Sequence, residues 1–96
     1  MIKVMDHVNI VVSDLQKATD FFTAIGFAVS NRGDLESDWV SDVVGLPQAE
    51  ARYVQLSLPK CRTRLELIQY FSPSSGRDVD MAKANQIGIR HLAFEV

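Results

Sequence analysis

The sequence predicts a small α+β domain in which a βαβββ unit is followed by a further strand. One amphipathic helical segment follows the first β-rich run, and four more β-rich runs come after it, separated by turn residues. The chain has 96 residues, of which 47% are apolar and 23% charged, a composition that suits one soluble globular domain with a single modest core.

The first strand is predicted over HVNIVV, a run rich in Val and Ile with one polar interruption. In an extended chain, alternate side chains point to opposite faces. His7, Asn9 and Val11 therefore share one face. The opposite face carries only apolar side chains, those of Val8, Ile10 and Val12.

The clearest helix is predicted over SDLQKATDFFTAIGF. Ser13 or Asp14 can cap its start by accepting hydrogen bonds from free amide groups. Gly26 is placed to end it in a left-handed conformation. Apolar residues recur at three- and four-residue spacing and form one stripe that would cover the apolar face of a sheet: Leu15, Ala18, Phe21, Phe22 and Ile25.

Three further strands and a short helix are predicted next along the chain. FAVSNR predicts a strand, the region 33–50 is less regular, and SDWVSDVVG predicts a short helix within it. That helix would bury Trp39, Val40, Val43 and Val44, and it either covers a cavity or forms a packed connection. RYVQLSL and RLELIQY then predict a hairpin with a turn at Pro59–Thr63.

The C-terminal part of the sequence contains the boundaries between three predicted segments. SPSSGRD is a loop by composition, DMAKANQ favours a helical turn, and the alternation in RHLAFEV predicts a final strand. We therefore expect a βαβββ module over 1–72, a connecting segment over 73–88 and a further strand over 89–96.

Charge and hydropathy exclude several functional classes. The net charge is −2 and no run of Lys or Arg suggests a nucleic-acid footprint. No segment approaches the roughly 20 apolar residues that span a bilayer, so we expect no membrane partner and a cytoplasmic location. The single cysteine, Cys61, agrees with a reducing compartment and reads as an ordinary turn thiol.

Three residues suggest a metal site. Glu66 lies inside a predicted strand between two leucines, and a buried carboxylate needs a partner. His7 and His91 occupy matching positions in two strands of similar pattern. If the sheet curves, two imidazoles and a carboxylate can hold Zn, Ni, Mn or Fe(II). The alternative is a glutamate on a solvent-facing strand face and two histidines with ordinary structural partners.

These residues lie within segments that resemble a known family. DHVNIVVSDLQKATDFFTAIGF, RLELIQY and GIRHLAFEV look like the vicinal oxygen chelate superfamily, which includes glyoxalase I, methylmalonyl-CoA epimerase, extradiol dioxygenases and bleomycin resistance proteins. The resemblance implies βαβββ modules of the glyoxalase/bleomycin resistance type, two of which curl into a cup around a metal.

The resemblance also implies which residues bind the metal. His7 matches the first-strand ligand, Glu66 the last-strand ligand, and His91 the first-strand ligand of a second module. The fourth ligand, usually a glutamate late in the second module, has no counterpart, so the sequence resembles one module plus the opening strand of another, as in a truncated protein. A homodimer would restore four ligands by pairing His7 and Glu66 from each chain across a two-fold axis.

The function that the resemblance implies is a metal-dependent lyase or isomerase of the glyoxalase/epimerase kind. It would stabilise an enediolate or enolate of a small thiol- or thioester-linked substrate, with Glu66 as the catalytic carboxylate. The side chains that would bind the substrate are Asn9, Tyr53, Gln55 and Arg64. The rival functions are a non-catalytic, ligand-sequestering dimer of the bleomycin resistance kind, an extradiol-type dioxygenase, and an inert remnant.

Overall fold

A computed structural model describes residues 1–96, and its elements follow the predicted order closely. The regular elements are β1 (His7–Val11), α1 (Leu15–Ala24), β2 (Ala28–Glu36), α2 (Asp38–Val44), β3 (Glu50–Leu58) and β4 (Cys61–Ser72). A single turn of 3₁₀-helix follows at Asp80–Ala82, inside the segment predicted to hold a helical turn. None of the helices has the length and apolar character needed to span a bilayer.

The four strands form one sheet in the order β1-β4-β3-β2. β1 runs parallel to β4, whereas β3 is antiparallel to both of its neighbours. The predicted α+β class and the βαβββ order are confirmed. Because β4 lies between β1 and β3, the first and last strands of the module are neighbours, and their side chains can interact.

The hydrophobic core lies between the sheet and α1. Leu56 of β3 and Leu67 of β4 have no exposed surface, and Leu15 of α1 is buried against them. Val8 and Ile10 of β1 pack on the same side. The predicted alternation is therefore correct in all three strands, and we call this side of the sheet the helix face and the opposite side the open face.

α1 begins and ends where the sequence predicts, but its buried stripe is narrower. Asp14 is the N-cap and accepts a hydrogen bond from the Lys17 amide at 3.0 Å, and Gly26 follows the helix with φ +116°. Phe21 and Ile25, predicted to be buried, are 58% and 54% exposed. Each residue turns a helix by about 100°, so Phe21 cannot share the inner face fully with Phe22.

Three of the four strands, β2, β3 and β4, are longer than the sequence predicts. β2 continues into the region 33–50, which was expected to be less regular, and ends at Glu36, which pairs with Glu50. The hairpin between β3 and β4 turns over two residues only, because Leu58 pairs with Cys61. Cross-strand pairing adds hydrogen bonds that local composition does not reveal, so it extends strands beyond their predicted limits.

α2 is a helix as predicted, but the burial expected for it is wrong. Only Val40 is buried, whereas Trp39 and Val43 are 65% and 73% exposed and Val44 is also exposed. The helix rests on β2 at the edge of the sheet. No other part of the chain covers the outer side of α2. The helix therefore buries only the residue that faces the sheet.

The strand predicted over residues 89–96 does not form. This segment makes no backbone–backbone hydrogen bonds, although Ile89–Leu92 lie beside the open edge of β1. Phe94 contacts Phe27 edge to face, with ring centroids 5.6 Å apart. A strand is stable only when its backbone groups are paired, and these contacts are made by side chains. The division into 1–72, 73–88 and 89–96 stays a prediction.

Candidate functional site on the open face

The open face of the sheet brings most of the predicted site residues together. Period-two alternation in β1, β3 and β4 directs polar side chains away from α1. The residues on this face include one predicted metal ligand from β1, the predicted catalytic carboxylate, and the four predicted substrate-binding residues: His7, Glu66, Asn9, Tyr53, Gln55 and Arg64.

One row of polar side chains crosses the whole sheet. In the strand register, Asn9 lies opposite Glu66, Glu66 opposite Gln55, and Gln55 opposite Asn31. The Asn9 side-chain amide donates a hydrogen bond to Glu66 Oε1 at 2.9 Å, although the two residues are 57 positions apart. This hydrogen bond fixes one oxygen of the half-buried Glu66 carboxylate. The other oxygen, Oε2, has no hydrogen-bond partner within the chain.

A second network links β1, β4 and β3 beside this row. His7 Nδ1 lies 2.6 Å from Asp6 Oδ2, and Arg64 Nη2 donates to both carboxylate oxygens of Asp6 at 2.9 and 2.8 Å. Arg64 Nη1 donates to Gln55 Oε1 at 3.1 Å. The guanidinium predicted to bind substrate therefore already contacts Asp6 and Gln55. Asp6, directly before β1, is thereby connected to one side chain from each of three strands.

The charge distribution of this network stabilises the ionised form of Asp6. The hydrogen bond with His7 is the largest cause that lowers the pKa of Asp6 below its ordinary value, and the positive charge of Arg64 lowers it further. Asp6 is thus an ionised acceptor under ordinary conditions. Asp6 was not among the predicted site residues, although an acidic residue directly before a candidate ligand histidine was a usable signal.

Tyr53 lies over a glycine of the neighbouring strand. Gly33 is its register partner in β2, and a Cβ built on Gly33 would lie 2.9 Å from Tyr53 Cε1. The Tyr53 hydroxyl is 3.4 Å from the side-chain nitrogen of Asn31. The hydroxyl end of the ring therefore lies over Gly33, beside Asn31 at the end of the polar row. Gly33 was not predicted as a site residue, and an isolated glycine in a strand was the available signal.

His91 lies apart from this network. It lines a groove at the edge of β1, together with Val8–Val11 and the neighbouring residues of the C-terminal segment. No group of three or more His, Cys, Asp or Glu side chains in the chain is arranged to hold a metal ion. Within one chain, His7, Glu66 and His91 thus do not form a three-ligand site. Their predicted shared role stays a prediction.

The residues that do fit a metal are His7 and Glu66. They lie on one face of adjacent parallel strands as diagonal neighbours, because His7 is opposite Arg64 and Glu66 is opposite Asn9. His7 Nε2 and Glu66 Oε2 make no hydrogen bond within the chain. An imidazole nitrogen and a carboxylate oxygen are ordinary ligands of Zn, Ni, Mn and Fe. Two of the three predicted ligands thus lie on one face of the sheet, each with a donor atom that makes no hydrogen bond within the chain.

A cleft of about 480 Å³ opens on the other side of the sheet, next to the start of α1. Its walls include Arg32, Asp34 and Arg52, and it contains none of the predicted site residues. Arg52 is bound there by Asp34 at 2.8 Å and lies over the Phe71 ring at 5.5 Å. The predicted site residues other than His91 thus lie on the open face, away from this cleft.

Comparison with known proteins identifies the family. Residues 6–96 match the family model described as the Glyoxalase/Bleomycin resistance protein/Dioxygenase superfamily. The chain belongs to this superfamily. Proteins of this superfamily often bind a metal, often take small-molecule ligands and often dimerise.

A solved structure supports the same assignment. The chain is similar to the crystal structure of a glyoxalase family protein from Bacillus cereus, with a TM-score of 0.84 and 30% sequence identity. The similarity covers 94% of this chain and 60% of that protein, so the chain spans less than two thirds of the length of its relative in the glyoxalase family. Among curated proteins, no match is found.

Proposed function

We propose that the chain acts as a homodimer, as a metal-dependent lyase or isomerase of the glyoxalase/epimerase kind. Its substrate would be a small molecule with a thiol- or thioester-linked carbonyl group. A bound divalent ion, Zn, Ni, Mn or Fe, would supply Lewis-acid stabilisation of the negative charge that develops on the substrate oxygens. The observation that carries the proposal is the half-set of ligands formed by His7 and Glu66 on the open face.

The position of β1 supports a shared site. β1 is an edge strand of the sheet, and His7 and Glu66 lie on β1 and on the strand next to it. A two-fold axis along that edge would bring two equivalent pairs together and duplicate the half-set. It would also cover backbone groups of β1 that have no partner on the outer side.

Each open-face residue has a role in this proposal. Glu66 is the carboxylate that would move the proton next to the substrate carbonyl, and Asn9 holds its other oxygen in place. Tyr53 and Gln55 would line the wall of the cup beside it. His91 lies where a second chain would approach β1, so the C-terminal segment would compete for that edge in the assembled dimer.

Metal titration tests the proposal directly. The wild-type chain, dialysed free of metal, should bind about one Zn²⁺ or Ni²⁺ per two chains in calorimetry and should elute as a dimer in gel filtration. His7→Ala and Glu66→Gln should each abolish binding. Glu50→Gln is the matched control, because Glu50 is an exposed glutamate at the far end of β3. Monomeric wild-type protein, or equal binding by Glu66→Gln, would contradict the proposal.

One observation favours a second candidate, a non-catalytic protein that sequesters a small ligand between two subunits. The carboxylates of the open face already accept hydrogen bonds, Asp6 from Arg64 and Glu66 from Asn9. No buried polar side-chain atom lacks a hydrogen-bond partner. The carboxylates of Asp6 and Glu66 thus each have a hydrogen-bond partner without an ion. A dimer that takes up no metal in the same titration would favour this candidate over the enzyme.

A further inference from the structure

We propose that Asp6 and Arg64 are positioning residues that fix the tautomer of His7 and direct its Nε2 atom into the open face. The role of this tautomer, metal binding by His7, rests on the function proposed above. The tautomer itself is a property of the metal-free chain and can be measured without metal. The proposal also changes the role of Arg64, which is better explained by its contact with Asp6 than by contact with a substrate.

The first step of the argument is the contact between Asp6 and His7. Nδ1 of the imidazole lies 2.6 Å from Asp6 Oδ2. An ionised carboxylate has no proton to donate, so the hydrogen of this short bond belongs to Nδ1. In a neutral imidazole, protonation of Nδ1 leaves the lone pair on Nε2. Nε2 is then the one atom of His7 that can bind a cation or accept a proton.

The second step is the restraint on Asp6 itself. Its side chain is 63% exposed and would sample several rotamers if nothing held it. Arg64 Nη2 binds both oxygens, and the Arg64 amide donates to the Asp6 carbonyl at 3.0 Å. Because Arg64 is anchored on β4 and to Gln55 on β3, the orientation of the imidazole is set by three strands.

The third step is a comparison within the chain. Asp34 and Arg52 form a second Asp–Arg pair at 2.8 Å, and their side chains are 63% and 60% exposed. That pair has no histidine beside it and lies next to the cleft on the helix face. It therefore supplies a matched control that has the same chemistry and a similar exposure without the proposed function.

Nitrogen NMR of the metal-free chain tests the tautomer. Long-range ¹H–¹⁵N spectra distinguish the two tautomers of a neutral ring, and they should be recorded at about pH 8.5, well above the ordinary histidine pKa. Wild-type His7 should be protonated at Nδ1. Asp6→Ala should shift it toward the Nε2-protonated form that free histidine prefers, and Arg64→Ala should do so partly, with recovery in Arg64→Lys. His91 has no hydrogen-bond partner and serves as the internal reference.

Metal affinity gives the second readout. Loss of the carboxylate partner of a ligand histidine weakens metal binding by about 10- to 100-fold, so Asp6→Ala should show a loss of that size in the Zn²⁺ titration. Asp6→Asn keeps one acceptor oxygen and should lose less. Asp34→Ala should change neither the His7 spectrum nor the affinity. Because Asp6 is exposed, its replacement should leave the fold intact, which circular dichroism verifies.

The outcomes separate this inference from the proposed function. A wild-type His7 protonated at Nε2, or the same spectrum in Asp6→Ala, overturns the inference even if the chain binds metal. The predicted tautomer in a chain that takes up no metal supports the inference and contradicts the proposed enzyme. Equal effects of Asp6→Ala and Asp34→Ala would mean that His7 responds to surface charge in general, which also overturns it.

Discussion

The two faces of the sheet are built from alternate residues of the same strands, yet they differ in almost every physical respect. On the helix face, Leu56 and Leu67 are fully buried and pack on α1. On the open face, the residues next to them, Gln55 and Glu66, are half-buried and joined in polar rows. Stability is concentrated on one face and candidate chemistry on the other, so substitutions should separate the two.

The largest expected effect comes from the helix face. Leu67→Ala should lower the free energy of unfolding by about 2 to 5 kcal/mol, because it removes apolar contacts and leaves a cavity in the core. Glu66→Gln, one residue away on the open face, should change it by less than about 1 kcal/mol, since it keeps the oxygen that Asn9 binds. Urea unfolding measures both. Similar losses in the two variants would break the comparison.

An intermediate effect is expected on the open face at Gly33. Gly33→Ala should cost about 1 to 3 kcal/mol, because its Cβ would approach the Tyr53 ring within 2.9 Å and displace it. In a Tyr53→Ala background the same change should stabilise by about 0.5 to 1 kcal/mol, since alanine is favoured over glycine in a strand. Thermal unfolding of the four proteins measures this cycle.

The control for that cycle is Gly76→Ala, where an added Cβ has open space around it. It should leave the stability nearly unchanged in both backgrounds. If Gly33→Ala destabilises equally with and without the tyrosine ring, the destabilisation comes from the backbone. The contact of Tyr53 with Gly33 then contributes nothing to the free energy of unfolding.

A smaller effect is expected at the start of α1, which closes the helix face. Asp14→Ala should cost about 1 kcal/mol, because it removes the acceptor for the Lys17 amide. Ser13→Ala should have little effect, since Asp14 alone caps the helix. Helical signal and urea midpoint report on both variants. A larger loss for Ser13→Ala would mean that the cap is assigned to the wrong residue.

The sequence predicted the features that depend on local period. Alternation alone placed Leu65 and Leu67 on one face and Glu66 on the other, and the cap and the terminating glycine of α1 followed from residue type. These properties are fixed within a few residues, so a short window of sequence contains them.

The sequence did not predict the features that depend on contacts with distant parts of the chain. The exposure of Trp39 and Val43 follows from the absence of a covering layer within the chain, and residues 89–96 have a strand pattern but no backbone pairing. The contact between Asp6 and Arg64 requires the register of two strands that are far apart in sequence. A window of neighbouring residues holds no information on any of these.

The insertion of β4 between β1 and β3 also determines when the candidate site can exist. β1 has β4 as its only neighbour in the sheet, so it emerges from the ribosome long before its pairing partner is made. The β3–β4 hairpin can form by local closure, whereas the β1–β4 ladder must close a loop of more than 50 residues. A nascent chain therefore cannot bring His7 beside Glu66 until synthesis has passed β4.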